Sequence, residues 1–448
     1  MLIIFALLFS FALLVLSVVF GVYIGFALLA SFVVFALIAV KNGKSVYDIG
    51  HFAINGAKKG LQVVLTMLLI GVLTASWMAS GTVGTLVHYL LRVISPEMFL
   101  LFCFLIPLAV SFVLGSAFAT CSTVGVILIV LANTGGVSAA MAAGIILAGA
   151  YFGDRASPVS ATLNLVSGLT RTNHYKNVGI MLKTSAVPVI IAAAVYFLWS
   201  IRCPLSADSI PLSAEIGQAF RLSPLCLLPA ALILTLTVCR VKVKYAIAAS
   251  AACAVALAMA FQGRGALEML KYMWSGFSLP DSSPLRDIIK GGGLVGQIKN
   301  SLVILIACAL SELFQKAGML SGLTRLLSKP CGRFVLFLRS LALGIVTSAC
   351  GCSQTLAIVM TTELVAPEYL ARGLPNEELA TDIGLGALIV PAIVPWNVAA
   401  FMAVGVLGVT GMGYMKYILF LYLVPIYGVV RFGVMEVRKR RRKLEPRA

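Results

Sequence analysis

Charge is scarce in this chain. Only 11% of its 448 residues are Asp, Glu, Lys or Arg, against about 25% in a soluble domain. Sixty per cent are apolar and the mean hydropathy is +1.04. Apolar runs recur from end to end without a polar face to turn toward water, which excludes a soluble fold; a bilayer span needs about 20 such residues. Histidine is nearly absent: His51, His88 and His174 lie far apart and make no metal cluster. The ten cysteines occur singly apart from Cys350 and Cys352, so no zinc spacing exists and they read as small buried apolar residues. Nucleotide motifs are missing too. Gly43-Lys44-Ser45 mimics the end of a phosphate loop, but Ile38 stands where its first glycine belongs. Gly291-Gly292-Gly293-Leu294-Val295-Gly296 matches a dinucleotide fingerprint by letter only, in a loop without a βαβ unit. Neither ATP-driven chemistry nor a cofactor is expected, and no convergent nucleophile and base points to an enzyme.

What charge there is has one sign: 34 Lys and Arg against 16 Asp and Glu, a net +18. In a membrane protein this reads as topology, because Lys and Arg accumulate in cytoplasmic loops. The tail from Arg438 to Arg447 lacks interleaved aromatics, so it reads as an anchor beside anionic lipid rather than a nucleic-acid site. The first twenty residues have a signal peptide's hydrophobicity but no basic start, and a second apolar run follows at once, so they are expected to remain as a span.

Spans are expected at 2–19, 21–40, 61–79, 184–199, 223–239, 245–262, 297–315 and 417–434, with two interrupted spans at 137–170 and 378–410. Residues 81–95 are too short and polar to cross and read as an interfacial helix. Segments 98–131 and 334–366 each consist of two apolar arms around a polar centre, at Gly115–Thr123 and Ser348–Thr355. Their second arms look short for a full crossing, so each is expected to be a re-entrant hairpin, its exposed backbone tolerated only where it lines a protein cavity. With hairpins, 24 of the 34 basic residues fall on the cytoplasmic side, together with both termini; crossing arms would move Arg240–Lys244 and Lys316–Arg339 outside. The expected architecture is an all-α polytopic membrane protein of about ten spans in two inverted repeats, 1–200 and 223–434. An extracellular linker (201–222) joins the repeats and a basic cytoplasmic tail (435–448) follows. Five spans per half is an odd number, which inverts the second half; inverted repeats with broken helices mark secondary transporters.

The chemistry is expected at the breaks. In the first, Asp154 and Arg155 stand in an otherwise apolar span, where ionisable residues mark ion or substrate pathways; a purely structural Asp154–Arg155 pair is the alternative. Pro158 removes a backbone donor. Freed carbonyls with the oxygens of Ser157, Ser160, Thr162 and Asn164 are the hard ligands a Na+ ion prefers. In the second break, Pro391 and Pro395 interrupt the helix and place Asn397 at the kink, with Trp396 read as packing or as part of the site. The hairpin tips add Ser116, Thr120, Ser122, Thr123, Ser353, Gln354 and Thr355, small polar residues that can equally serve close packing. Ser157, Asn164 and Asn397 are the candidate Na+ site.

Over Gly149–Asn164 (GAYFGDRASPVSATLN) the sequence resembles the NhaC family of Na+/H+ antiporters, supported by Trp77–Val83 and by Val394-Pro395-Trp396-Asn397. The resemblance implies a scaffold part and a hairpin-bearing part that moves between the two faces, Na+ export in exchange for H+, and a homodimer in the membrane. It departs at one position: the family pattern SPxSDTTN has an aspartate where Ala161 stands. The duty of binding either Na+ or H+ is then expected to fall on Asp154, with Asp382, Glu312 and Glu363 as lesser candidates. An ion-coupled carrier of a small organic anion or amino acid, with Arg155 meeting the substrate carboxylate, is the alternative reading.

Overall fold

A computed structural model of the full chain describes all residues except 1, 21, 94, 206–219, 240, 242, 280–289, 318–331, 410 and 445–448. Most of the expected 201–222 linker and parts of the 240–244, 263–299 and 316–339 loops therefore lie outside the described residues. The rest is helical apart from short turns and a two-residue antiparallel pair, Phe277–Ser278 with Lys290–Gly291.

The first half runs α1 (Leu2–Val19), α2 (Ile24–Lys41), α3 (Val46–Ala79), α4 (Thr82–Val93), α5 (Phe99–Leu114), α6 (Ala117–Thr120), α7 (Val126–Thr134), α8 (Ala139–Ala156), α9 (Ala161–Thr170) and α10 (His174–Arg202). The second half runs α11 (Leu228–Val238), α12 (Val243–Ala260), α13 (Ala266–Ser275), α14 (Leu294–Lys316), α15 (Arg333–Gly351), α16 (Gln354–Ala371), α17 (Asn376–Leu385), α18 (Val398–Val406) and α19 (Leu419–Leu444). Seven helices among the described residues are long and apolar enough to cross a membrane. With the shorter apolar helices beside them, the chain is a polytopic all-α membrane protein.

Several boundaries differ from those expected. The 41–60 loop is mostly helix: Ser45 and Asp48 form a reciprocal cap, and α3 then runs about 50 Å at 1.5 Å per residue. The basic tail begins as helix, since α19 continues to Leu444. Length separates the arms of each hairpin: Pro96–Leu114 and Arg333–Gly351 are each long enough to cross, whereas the second arms are not among the seven helices that are.

Their roots show where the arms return. The Leu205 amide, just past α10, donates to Pro96 O at the start of the first hairpin (3.2 Å). The Leu205 side chain also packs on Gly135 at that hairpin's end. Both arms thus return to the C-terminal end of α10. In the second hairpin, Arg333 on the first arm and Tyr369 on the second both bind Asp382 of α17. That root lies at the N-terminal end of α10, where Lys176 pairs with Glu377 (2.7 Å). The hairpins enter from opposite ends of one helix.

Two packing groups position them. In one, α3 lies along α14, with α2, α12 and α13 around the pair. Gly56 permits this approach, since a Cβ there would stand 2.4 Å from Cys308 O. The glycine run that mimicked a dinucleotide motif serves the same contact: Gly293 N donates to Gly71 O across the helices at 2.7 Å. In the other group, α5 packs on α8, and α10 packs on α5, α8 and α19.

Candidate functional site

Pro158 has no amide proton, so the carbonyl four residues earlier, that of Asp154, loses its helical partner. Ser160 Oγ (2.5 Å) and Thr162 Oγ1 (2.9 Å) donate to it instead. The α8 helix therefore stops at Ala156, and Ser160 caps α9 through the Leu163 amide (3.1 Å). The second break is longer. Between α17 and α18 the backbone makes only turns and a short 3₁₀ segment, Val390–Ala392, with Pro391 and Pro395 denying it regular donors. It is enclosed by protein, the setting in which a membrane tolerates irregular backbone.

Each break caps the hairpin of its own half. Ser157 Oγ donates to Phe112 O in the last turn of α5 (2.5 Å). Trp396 Nε1 donates to Ala349 O (2.7 Å) and Asn397 Nδ2 to Ser348 O (2.9 Å), in the last turn of α15. These are the carbonyls a helix C-terminus leaves without partners. Trp396 is therefore more than packing, and Asn397, whose Oδ1 accepts from Ala399 N (3.0 Å), is committed to backbone on both sides of its amide.

Asp154 is where the hairpins meet. Its carboxylate accepts from Ala117 N at the first tip (3.2 Å) and from Gln354 Nε2 at the second (3.2 Å). The Gln354 amide also donates to Leu388 O in the second break (2.9 Å). Both tips and both breaks thus converge on one buried carboxylate with two neutral donors. Among the described residues no Lys, Arg or His pairs with it.

Arg155 turns the other way. Fully buried, it donates to Gly384 O (2.9 Å), Met181 O (2.9 Å), Thr184 Oγ1 (2.7 Å) and Ser185 Oγ. The alternative of a structural Asp154–Arg155 pair is not what forms, and the guanidinium is spent on protein oxygens rather than held open for a substrate carboxylate. The lesser acidic candidates are placed elsewhere. Asp382 is clamped by Arg333 (2.7 and 2.8 Å) and Tyr369, Glu312 pairs with Lys59 (2.5 Å), and Glu363 is exposed.

The remaining candidates divide. Ser116 Oγ caps α6 through Ala119 N (3.3 Å). Thr120, Ser122 and Thr123 donate to carbonyls three or four residues earlier, and the last two lie in a π-helical stretch at Cys121–Gly125; π turns often mark functional sites. Ser353 makes no capping bond, Thr355 is exposed, and Asn164 lies on the exposed side of α9. Of the candidate Na+ ligands, Ser157 and Asn397 hold hairpin carbonyls and Asn164 lies on the exposed side of α9. Arg333, Tyr369 and the Ala117 amide were not anticipated. Arg333 reads in sequence as one more basic loop residue, and a backbone amide carries no sequence signal.

Residues 149–436 match the Na+/H+ antiporter family. The chain belongs to that family. It is 28% identical over 400 residues to the Na+/H+ antiporter NhaC of Alkalihalophilus pseudofirmus, covering 86% of each chain. It is also 27% identical over 390 residues to a malate-2H+/Na+-lactate antiporter of Bacillus subtilis, covering 85% of this chain and 83% of the relative. An arginine/ornithine antiporter of Halobacterium salinarum is 25% identical over 84% of this chain and 79% of its own. The match includes both breaks and the second hairpin, so this family member carries the Asp154–Gln354 contact wholly inside or beside the matched region. It is a transporter and a multi-pass membrane protein.

Proposed function

We propose that this family member exchanges Na+ for H+ across the cytoplasmic membrane, with Asp154 as the group that takes each ion in turn. The observation carrying this reading is the contrast among buried carboxylates: Asp382 and Glu312 each have a basic partner, and Asp154 has none among the described residues. An ionised carboxylate removed from water needs a compensating charge, and an exchangeable Na+ or proton supplies it. One carboxylate cannot hold both, so binding one expels the other, which is the logic of antiport. Ala117 N and Gln354 Nε2 orient the carboxylate, and both come from hairpin tips, so ion binding is linked to the position of both hairpins. The hairpins rooted at opposite ends of α10 support inverted halves and access to Asp154 from each face in turn, and Lys176, Arg333 and Arg372 near its N-terminal end support an inside location for that end. Lipid is the surrounding partner, and the family resemblance favours a homodimer.

A second reading, an ion-coupled carrier of a small organic anion or amino acid, draws on two observations. Ala161 stands where the resemblance implies an aspartate, and relatives bear organic-acid and amino-acid names. With Arg155 already spent, such a substrate would have to be met by the exposed side of the first break, at Ala161 and Asn164. The test uses everted vesicles: Na+ should collapse an imposed pH gradient, and Asp154→Asn should abolish this while the protein still inserts. No Na+-dependent collapse by the wild type, with purified protein stabilised only when malate, lactate or an amino acid is added, would replace the first reading by the second.

A further inference from the structure

Two buried tyrosines are left over once the ion site is assembled. Tyr151 on α8 is 2% exposed, and Tyr414, in the turn Gly413–Tyr417 before α19, is 3% exposed. Neither hydroxyl makes a hydrogen bond among the described residues. Other buried tyrosines do: Tyr196 Oη donates to Tyr417 O (2.7 Å), and Tyr369 Oη binds Asp382. A buried tyrosine hydroxyl ordinarily finds a partner, and leaving it without one is costly. Bound water is the partner such groups usually take.

The two lie between a cavity and Asp154. The cavity, of about 520 Å³, separates α14 from α18, and Tyr23, Gln297, Asn300, Pro395, Gly405 and Tyr414 are among the residues lining it. Its α14 wall is polar: Asn300 Nδ2 donates to Gln297 Oε1 (3.3 Å), and Tyr23 Oη donates to Lys299 O (2.6 Å). Such a wall suits water better than a lipid chain. From the cavity, the turn that holds Tyr414 leads to α8, where a Cβ at Gly144 would stand 2.3 Å from Tyr414 O. Tyr151 is two turns further along the same face of α8, and Asp154 is its neighbour three residues on. Asp154 and Tyr414 both lie within electrostatic reach of the Tyr151 hydroxyl. Tyr196, near the end of α10, holds Tyr417 of the same turn. The cavity therefore belongs to the first hairpin's root, away from the basic end.

We propose that Tyr414 and Tyr151 hold a file of water between this cavity and Asp154, the path by which the carboxylate exchanges its proton with the outer side. A phenol both donates and accepts a hydrogen bond, so each can link one water to the next. A proton leaving Asp154 passes to the nearest water as the last water releases one into the cavity. Neither tyrosine has to ionise. Hydroxyl and carboxyl chains of this kind serve as proton relays in membrane proteins. The role in exchange rests on the antiport reading; the hydration of the two hydroxyls does not.

Two measurements separate these claims. X-ray radiolysis of purified full-length protein makes hydroxyl radicals from bound water, and mass spectrometry then finds the side chains they oxidise. Tyr151 and Tyr414 should be oxidised several-fold faster than Tyr196, which is equally buried but already paired. If both stayed as unreactive as Tyr196, the water file would not exist and the proposal would be overturned. In vesicles, Tyr151→Phe and Tyr414→Phe should each slow Na+-driven proton movement roughly fivefold, the size of one hydrogen bond. The double variant should fall little further, because either loss breaks the same file. The unfolding midpoint should hold or rise in all three, since each change removes only an unpaired hydroxyl, and stabilisation of the purified protein by Na+ should be unaltered. Phe variants that exchange at the wild-type rate would also overturn the path, even with both tyrosines oxidised. A wild type that exchanges no Na+ would sink the antiport reading and leave the radiolysis result to judge the water file alone.

Discussion

Arg155 and Asp154 are neighbours in sequence and opposites in use. One faces the meeting point of the hairpin tips; the other faces α10 and the start of the second break. Arg155→Met should leave Gly384 O without the donor it has from Arg155 Nε, at about 1–3 kcal/mol for a buried acceptor; Met181 O keeps Thr184 Oγ1. Arg155→Lys should recover little, because one ammonium cannot reproduce the planar fork that reaches Gly384 O, Met181 O and two hydroxyls at once. The unfolding midpoint of purified protein checks both: each should fall, and a Lys variant as stable as wild type would show that the fork geometry is not required. At this scale the sequence was legible only in part. Asp154 stands out because an acid in an apolar span has no cheap explanation, and Pro158 announces the break. The partners could not be read: Ala117 lies 37 residues away and Gln354 lies 200 away. Asn164 and Thr355 looked as suitable as Thr162, yet nothing in the local pattern says which side of a broken helix faces inward.

Both hairpins turn through the same two-residue connection. Gly115 is left-handed (φ 68°, ψ 21°) and Ser116 extended (φ −148°, ψ 120°); Cys352 is left-handed (φ 51°, ψ 15°) and Ser353 extended (φ −141°, ψ 131°). The match explains why a Gly-Ser and a Cys-Ser pair occupy corresponding places in the two halves. It also predicts an asymmetry between them. At Gly115 a Cβ would meet Val159 C at 2.7 Å and Ser160 N at 2.8 Å, so Gly115→Ala adds a clash with the first break to a left-handed cost of about 1–2 kcal/mol. The second tip already accommodates a side chain. There Cys352→Gly should relieve a similar strain while losing a buried sulfur's packing and gaining unfolded-state freedom, ending within about 1 kcal/mol of wild type. Thermal unfolding of the two variants side by side tests this: Gly115→Ala should be clearly destabilised and Cys352→Gly nearly neutral, and equal losses would mean the tips do not share one turn. The polar centres of both hairpins were legible from composition. The return of each second arm beside the root of its first could not be read there, because Leu205 and Asp382, which gather the arm ends, do so through long-range contacts.

For the whole molecule, one helix sets the frame. The 29 residues of α10 separate the first hairpin's root, beside Leu205, from the second hairpin's root, beside the Lys176–Glu377 pair. The basic end holds Lys176, Arg333 and Arg372, and Glu436 of α19 approaches Gly332 there. The opposite end holds Pro96, Leu205 and the start of α14, where Gly293 meets α3. Positive charge in short loops marks the cytoplasmic face, so the basic end should lie inside. Two native cysteines, both exposed, report on this without introduced cysteines: Cys203 just past α10, and Cys239 at the end of α11 beside the basic 240–244 stretch. A membrane-impermeant maleimide should label Cys203 in intact cells, and Cys203→Ser should remove that signal. In everted vesicles Cys239 should become reactive, and Cys239→Ser should lower the labelling seen there. If both residues reacted from one side, α11 would not carry the chain back across the membrane, and the second half could not be the inverted counterpart of the first. If they react from opposite sides, each hairpin opens toward its own face, and Asp154, held by one tip from each, is the carboxylate both faces must share.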